Sequence, residues 1–419
     1  MYPILNKTTL KGYFIMGKLA IDGGSRVFPD GFGFETWPPV NDETFEKLRE
    51  VYYGHKWSFY GEEEKKFAAA FAEYHDAAYG TFMVNGTVTL EAALTALGIG
   101  PGDEVIVPSW TWLATGMAPL YVGAVPVFVD GEPDTFCMDP EAFEAAITPR
   151  TRAVIPVHLF GSIADLDRII NIARKHDIKV IEDCAHAHGA KWNGRGVGSF
   201  GDVGSFSFQQ SKIMTAGEGG ECITSDPELF DRIGRFSHIG YQFAAQRGQA
   251  SVPPPENLYC RNYRATDFQA VILMNQLERL ESETAYRAES ATYLRSELEK
   301  IPGISTQKPG RCATTQSYYV FGITVDPAVL KEGKTKADVI AAVNAEGAVE
   351  VFAGWGQPAF RQRLWNVSAD RYRVAGSSVV EDIIYNRIIL ADIRWLNAKR
   401  EDQEKLVECF RKVMKEYSK

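Results

Sequence analysis

"SFSFQQSKIMTAGEGG", residues 205–220, decides the fold. Residues 202–208 alternate as a strand does, with Val203, Ser205 and Ser207 on one side and Gly204, Phe206 and Phe208 on the other. Gly217, Gly219 and Gly220 let the backbone turn sharply before "ECITS" opens another strand. One lysine, Lys212, lies between. Most lysines are solvated surface charges; this one is expected inside a turn between two core strands.

Upstream, strands alternate with helices. "GTFMV" (80–84) runs into "GTVTLEAALTALG", "DEVIVP" (103–108) into a helix after "SWTW", and "AVPVFVD" (124–130) follows. "TRAVIPVH" (151–158), the helix "IADLDRIINIARKHD" and "IKVIED" (178–183) continue the series. This βαβ rhythm predicts an α/β fold, a mostly parallel sheet covered by helices on both faces. Ligands of such sheets gather at the carboxyl ends of the strands. Gly86 and Thr87, Trp110 and Trp112, and Asp183 and His186 all fall at such ends. From 264 to 299 apolar residues recur at helical spacing with no breaker until Pro302, predicting one or two long helices that join two domains. "YYVFGITV" (318–325), "TKADVIAAVNAEG" and "KREDQEKLVECFRKVMKEYS" then form a smaller α+β part. The expected division is a large domain over 1–275, with an N-terminal arm over 1–40, and a small C-terminal domain over 276–419.

Composition bounds the partners. At 419 residues, 45% hydrophobic and 24% charged, the chain can bury one large core and a satellite. A net charge of −9 without a basic run disfavours nucleic acid and anionic membrane. No apolar stretch reaches the roughly 20 residues of a spanning helix, and the N-terminus lacks the ordered parts of a secretory signal. Six cysteines scattered singly are expected as reduced thiols, with the cytoplasm as compartment and without zinc spacing.

The strand ends carry chemistry. A helix that begins "NGT" directly after a strand offers free N–H groups and the positive end of its dipole to an anion, or is simply capped. Ser207 can add a hydroxyl to the same anion. Asp183 can hold a protonated ring nitrogen by a charge-assisted hydrogen bond, or cap "CAHAHG". Trp112 can lie on a flat ring, or pack in the core. A desolvated Lys212 can attack a carbonyl as a free amine. His186 and His188, two apart, have no nearby carboxylate or thiol set, and no metal is expected. Together the groups describe a ligand with a phosphate, a ring nitrogen and an aldehyde: pyridoxal 5'-phosphate.

The order "NGT", "PSWTW", "VIPVHLFG", "VIEDCAHAHGA", "SFSFQQSKIMTAGEGG" and "NYRATDFQA" resembles the DegT/DnrJ/EryC1/StrS family of sugar aminotransferases, from about residue 40 to the end. The resemblance implies fold type I of the pyridoxal phosphate enzymes, with an aspartate aminotransferase-like large domain. It implies that Lys212 forms the Schiff base, Asp183 pairs with the pyridine nitrogen and Trp112 lies against the ring. Gly86, Thr87 and Ser207 match phosphate binders, and His186 stands near the phenolic oxygen. Asn262 matches an asparagine that reaches the phosphate of a neighbouring subunit, so the resemblance implies a homodimer with shared active sites. The family's dehydratases carry histidine in place of the lysine. The implied reaction moves an amino group from glutamine or glutamate to a small-molecule ketone, a keto-cyclitol or ketosugar, in the making of an aminocyclitol, amino sugar or antibiotic. A 3-amino-5-hydroxybenzoate synthase-like dehydratase or aromatase, a nucleotide-sugar aminotransferase and a non-catalytic sensor are the alternatives. Arg235 and His238 lie where the family has a loop near the acceptor, or are charges at a helix end.

Overall fold

The computed structural model describes residues 18–59, 61–242 and 252–419; residues 1–17 of the expected arm lie outside the described residues. An eight-stranded sheet forms the centre. Its strands lie in the order Tyr79–Met83, Gly220–Thr224, Val203–Ser207, Lys179–Asp183, Thr151–Val154, Glu104–Pro108, Val125–Val129 and Arg373–Val374. Gly220–Thr224 runs antiparallel to both its neighbours, and every other pairing is parallel. The near-continuous apolar runs of the middle strands follow from burial on both faces: Val105, Ile106, Val107, Val127, Phe128 and Val129 are all 0% exposed.

The helix Gly86–Ala96 starts where its first turn meets two distant strands. Asn85 caps it, its Oδ1 accepting from the N–H of Thr87 and of Val88 at 3.1 Å each. A Cβ on Gly86 would lie 2.6 Å from Cβ of Ser207, and one on Gly220 would lie 2.4 Å from the carbonyl carbon of Asn85. Those two glycines let "NGT" sit directly on the strands that flank the lysine turn.

The stretch 264–299 forms one helix, Asp267–Leu298, opened by a capping box between Thr266 and Gln269. Ala270, Leu273 and Leu277 pack in a core with the large sheet's helices, whereas Ala291, Leu294 and Leu298 belong to a second core. The expected boundary at 275/276 therefore falls inside a continuous helix that serves both units. The second core lies under an antiparallel sheet of Ile304–Thr306, Val320–Val325, Ile388–Asp392 and Val351–Phe352, against the helices Lys336–Ala345 and Arg400–Tyr417. Leu19 and Phe28, from the described part of the arm, pack into this second core. Glu346 ties them there: its Oε1 accepts from the N–H of Ala20 at 2.8 Å and its Oε2 pairs with Lys412 at 2.7 Å. No helix among the described residues is long and apolar enough to cross a membrane.

Candidate active site

The carboxyl ends of the large sheet open into a cavity of about 500 Å³. Gly86, Thr87, Trp112, Asp183, His186, Ser207 and Lys212 all line it. Seven of the eight residues expected at the site are thus brought together. Asn262 is exposed and lies outside its own chain's cavity, in an antiparallel bridge with His238.

Asp183 ends its strand at the floor of the cavity, 6% exposed. Burial pushes its carboxyl up, while the Thr115 hydroxyl, the N–H of Ala185 and the charge of Lys212 pull it back. Thr115 donates to Oδ2 at 2.8 Å and Ala185 to Oδ1 at 3.2 Å, so the carboxylate is aimed by two neighbours. Lys212 lies in the turn between Val203–Ser207 and Gly220–Thr224, as its sequence setting predicts. Burial lowers its amine to about 8, opposed by Asp183. The two groups form a proton-handling pair: an anion held in place and an amine whose lowered pKa brings its neutral form within reach just above neutral pH.

His186 accepts from the N–H of Phe160 at Nδ1, 3.3 Å away, which leaves its proton on Nε2. Burial and the charge of Lys212 hold it well below the ordinary imidazole value, so the ring is uncharged. His188 goes elsewhere, its Nε2 bonded to the carbonyl of Ser207 at 2.9 Å. The pair therefore splits, one ring facing the cavity and one bracing the end of the strand that leads into the lysine turn. A separate buried group, His158, Glu182 and Cys184, has ligand atoms within 4.8 Å of one another. Glu182 is already saturated there, accepting from His158, Gly198, Phe200 and Gly201 at 2.7–3.2 Å. It fixes the loop behind Asp183.

Arg235 and His238 do not line the cavity of their own chain, and they are not exposed helix-end charges either. Arg235, 4% exposed, pairs with Asp231 at 2.6 Å and donates to the carbonyl of Val252 at 2.8 Å. His238, 0% exposed, has Nδ1 2.9 Å from the carbonyl of Gly234. Both brace the segment that presents Asn262.

Sequence reasoning missed the small unit's contribution. Tyr319 and Trp355 reach into the cavity from it, the ring of Trp355 5.6 Å from that of Trp112. Neither stands in a motif; only folding brings the stretch before Val320–Val325 and the loop after Val351–Phe352 to the strand ends. Thr111 and Thr115, one turn apart in the helix-start region after "PSW", were likewise silent, although Thr115 donates to Asp183 and shares a 2.8 Å hydroxyl contact with Thr111.

The residues fit pyridoxal 5'-phosphate on three observations. The Gly86–Ser207 contact is a cradle that a Cβ would fill, beside a capped helix start where an anion is favoured. Trp112 is 48% exposed within the cavity, an apolar face left for a flat ring. A buried carboxylate and a buried amine with a lowered pKa supply the partners for a ring nitrogen and an aldehyde.

The DegT/DnrJ/EryC1/StrS aminotransferase family model matches residues 38–411. The chain is 40% identical over 313 residues to the L-glutamine:2-deoxy-scyllo-inosose aminotransferase of Streptomyces kanamyceticus, covering 73% of each. It is 38% identical to the L-glutamine:scyllo-inosose aminotransferase of Streptomyces griseus, covering 74% of this chain and 75% of that one. Among solved structures, 3-amino-5-hydroxybenzoic acid synthase superposes with a TM-score of 0.80 at 30% identity, over 92% of this chain and 99% of that one. An aminotransferase from Psychrobacter cryohalolentis gives 0.84 at 29%, over 92% and 100%. With that fold, that cavity and those matches, the chain belongs to the DegT/DnrJ/EryC1/StrS aminotransferases, pyridoxal phosphate-dependent enzymes of fold type I.

Proposed function

We propose that this enzyme transfers the amino group of glutamine to the ketone of a keto-cyclitol of the scyllo-inosose type, in aminocyclitol antibiotic biosynthesis. The observation that carries the reading is the single cavity in which the lowered amine of Lys212 and the buried carboxylate of Asp183 stand beside the Gly86–Ser207 cradle. The names of the relatives supply donor and acceptor.

Pyridoxal phosphate, when bound, supplies an electron sink for the carbanion at the donor's Cα. The residues do the rest. Asp183, aimed by Thr115 and Ala185, would hold a proton on the ring nitrogen. Gly86, Thr87 and Ser207, which line the cavity, would take the phosphate, and Trp112 would lie against the ring. His186, neutral with its proton on Nε2, is a hydrogen-bond donor for the phenolic oxygen. Lys212 Nζ, in its unprotonated form, would take the proton from the donor's Cα and deliver it to the cofactor's carbonyl-derived carbon, a task that its lowered pKa suits.

Asn262, exposed and outside its own cavity, supports a homodimer in which each chain completes its partner's phosphate site. The division into a large and a small domain stands with that reading, the two meeting along Asp267–Leu298. All six cysteines are free thiols, which supports the cytoplasm as the compartment.

The test loads the enzyme with pyridoxamine phosphate and offers keto-cyclitols, ketosugars and nucleotide-linked ketosugars in turn. Return of the visible absorbance with scyllo-inosose-type ketones is expected. Return with nucleotide-linked ketosugars alone would replace the acceptor class.

A further inference from the structure

Three backbone irregularities meet behind the cavity. Phe160 has φ 60°, Gly161 φ 93° and Tyr318 φ 55°, so two bulky residues are held in the left-handed region against their intrinsic preference. A Cβ on Gly161 would lie 2.5 Å from the nitrogen of Tyr318, so the two loops touch backbone to backbone. Tyr319 N–H donates to the carbonyl of Phe160 at 2.9 Å and locks the arrangement. Strain of this kind persists where the surroundings over-determine it, and it points to what the strained segment presents.

It presents Tyr319. The phenol ring lies parallel to His186, centroids 4.1 Å apart at 9°, and Lys212 Nζ stands 4.7 Å from its centroid. The hydroxyl is 2.8 Å from Ser211 Oγ, beside the lysine in sequence. Ser211 Oγ spends its one proton on the carboxamide oxygen of Gln209 at 2.8 Å, so Tyr319 is the donor in that contact. The ring is thereby tethered to the very turn that carries Lys212.

We propose that Tyr319 is a positioning residue for Lys212: its ring face fixes where the free amine rests and favours the protonated form. This rests on the role given to Lys212 above. An aromatic face attracts an ammonium group within about 6 Å, most strongly out of water. The charged and titratable neighbours are Asp183, which also favours the cation, the uncharged His186 and His188, Glu218 on the lysine's own turn, and Asp392, which acts on the phenol. Burial pushes the phenol up, so it stays neutral while Lys212 titrates.

The experiment uses holoenzyme in its pyridoxamine phosphate form, in which Lys212 is not joined to the cofactor. Labelling of Lys212 by acetic anhydride, read by mass spectrometry across pH, gives the amine's midpoint. Tyr319→Phe is compared with the enzyme carrying a ring-fluorinated phenylalanine at the same position, which keeps the shape and drains the ring's negative face. The midpoint is expected within a few tenths of a unit of the parent in Tyr319→Phe and lower by roughly half to one unit in the fluorinated protein. Equal midpoints in those two proteins overturn the proposal. Borohydride trapping of pyridoxal phosphate on Lys212 in the parent enzyme separates the failures: no trapping removes the role of Lys212, whereas trapping with an unmoved midpoint removes only that of Tyr319.

Discussion

At the scale of the residue, Lys212 and Asp183 set each other's charge. Burial lowers the lysine and the nearby carboxylate opposes it. Below about 8 the free amine is protonated and cannot accept a proton, so the rate of the donor half-reaction should rise with pH and level off above that value. In Asp183→Asn the carboxamide oxygen still accepts from Thr115, so the fold should survive. The opposing charge is gone, however, and the pH limb should move down. Losing one partner of a buried charged pair costs about 3–5 kcal/mol, or roughly a hundred-fold or more in rate. Stopped-flow measurement across pH reads both effects, and near-parent rates in Asp183→Asn would leave the acid as a mere brace of the turn that follows it. Glu221 supplies a second titration, outside the lining of the cavity. It is 0% exposed between Phe82 and Phe206, and among the described residues neither of its oxygens has a hydrogen-bond partner. Burial raises it well above the ordinary carboxyl value. Its folded-state pKa thus exceeds the unfolded one, so the stability it contributes is present in acid and fades as pH rises. Glu221→Gln removes that loss: thermal unfolding should show the variant gaining on the parent by up to ~1.4 kcal/mol per pH unit as pH rises above the ordinary carboxyl range.

At the scale of the element, the site depends on one helix start seated on two strands. Gly86→Ala places a methyl 2.6 Å from Cβ of Ser207, backed by a buried strand that cannot yield. The far-ultraviolet circular dichroism should stay near that of the parent while cofactor affinity falls by an order of magnitude or more, measured by equilibrium dialysis. Unchanged affinity would mean that the phosphate lies elsewhere. This junction shows what sequence can and cannot carry. The strands that end at Met83, Asp183 and Ser207 were legible because apolar runs end in glycine or acid, and "NGT" and "EDCAHAHGA" mark where the chain leaves the sheet. Ile388–Asp392, "IILAD", carries the same apolar-run-to-acid signal and went unread. Arg373–Val374 was not legible, because two residues carry no periodicity and are made a strand only by pairing with residues distant in sequence. Tyr319 and Trp355 escaped for the same reason: their neighbours Phe160, His186 and Trp112 come from another unit.

At the scale of the whole molecule, Asn262 sets the assembly question. If it serves the partner's phosphate site, Lys212→Ala and Asn262→Ala chains mixed under exchange should form hybrid dimers in which one site collects both defects and the other has neither. Activity above that of either parent variant is the expected result. No gain despite exchange proven by mass spectrometry would assign Asn262 to its own chain's structure.

The pairing of Arg373–Val374 with Val125–Val129 has a bearing on how the chain is made. Every other strand of the large sheet is complete by residue 224, whereas its last strand emerges from the ribosome only after the whole stretch 225–372 has been synthesised. Through that interval Val125–Val129 offers an open row of backbone donors and acceptors, the form of surface on which another nascent chain can add a strand. The brief Arg373–Val374 segment is thus the late closing seal on that edge of the sheet.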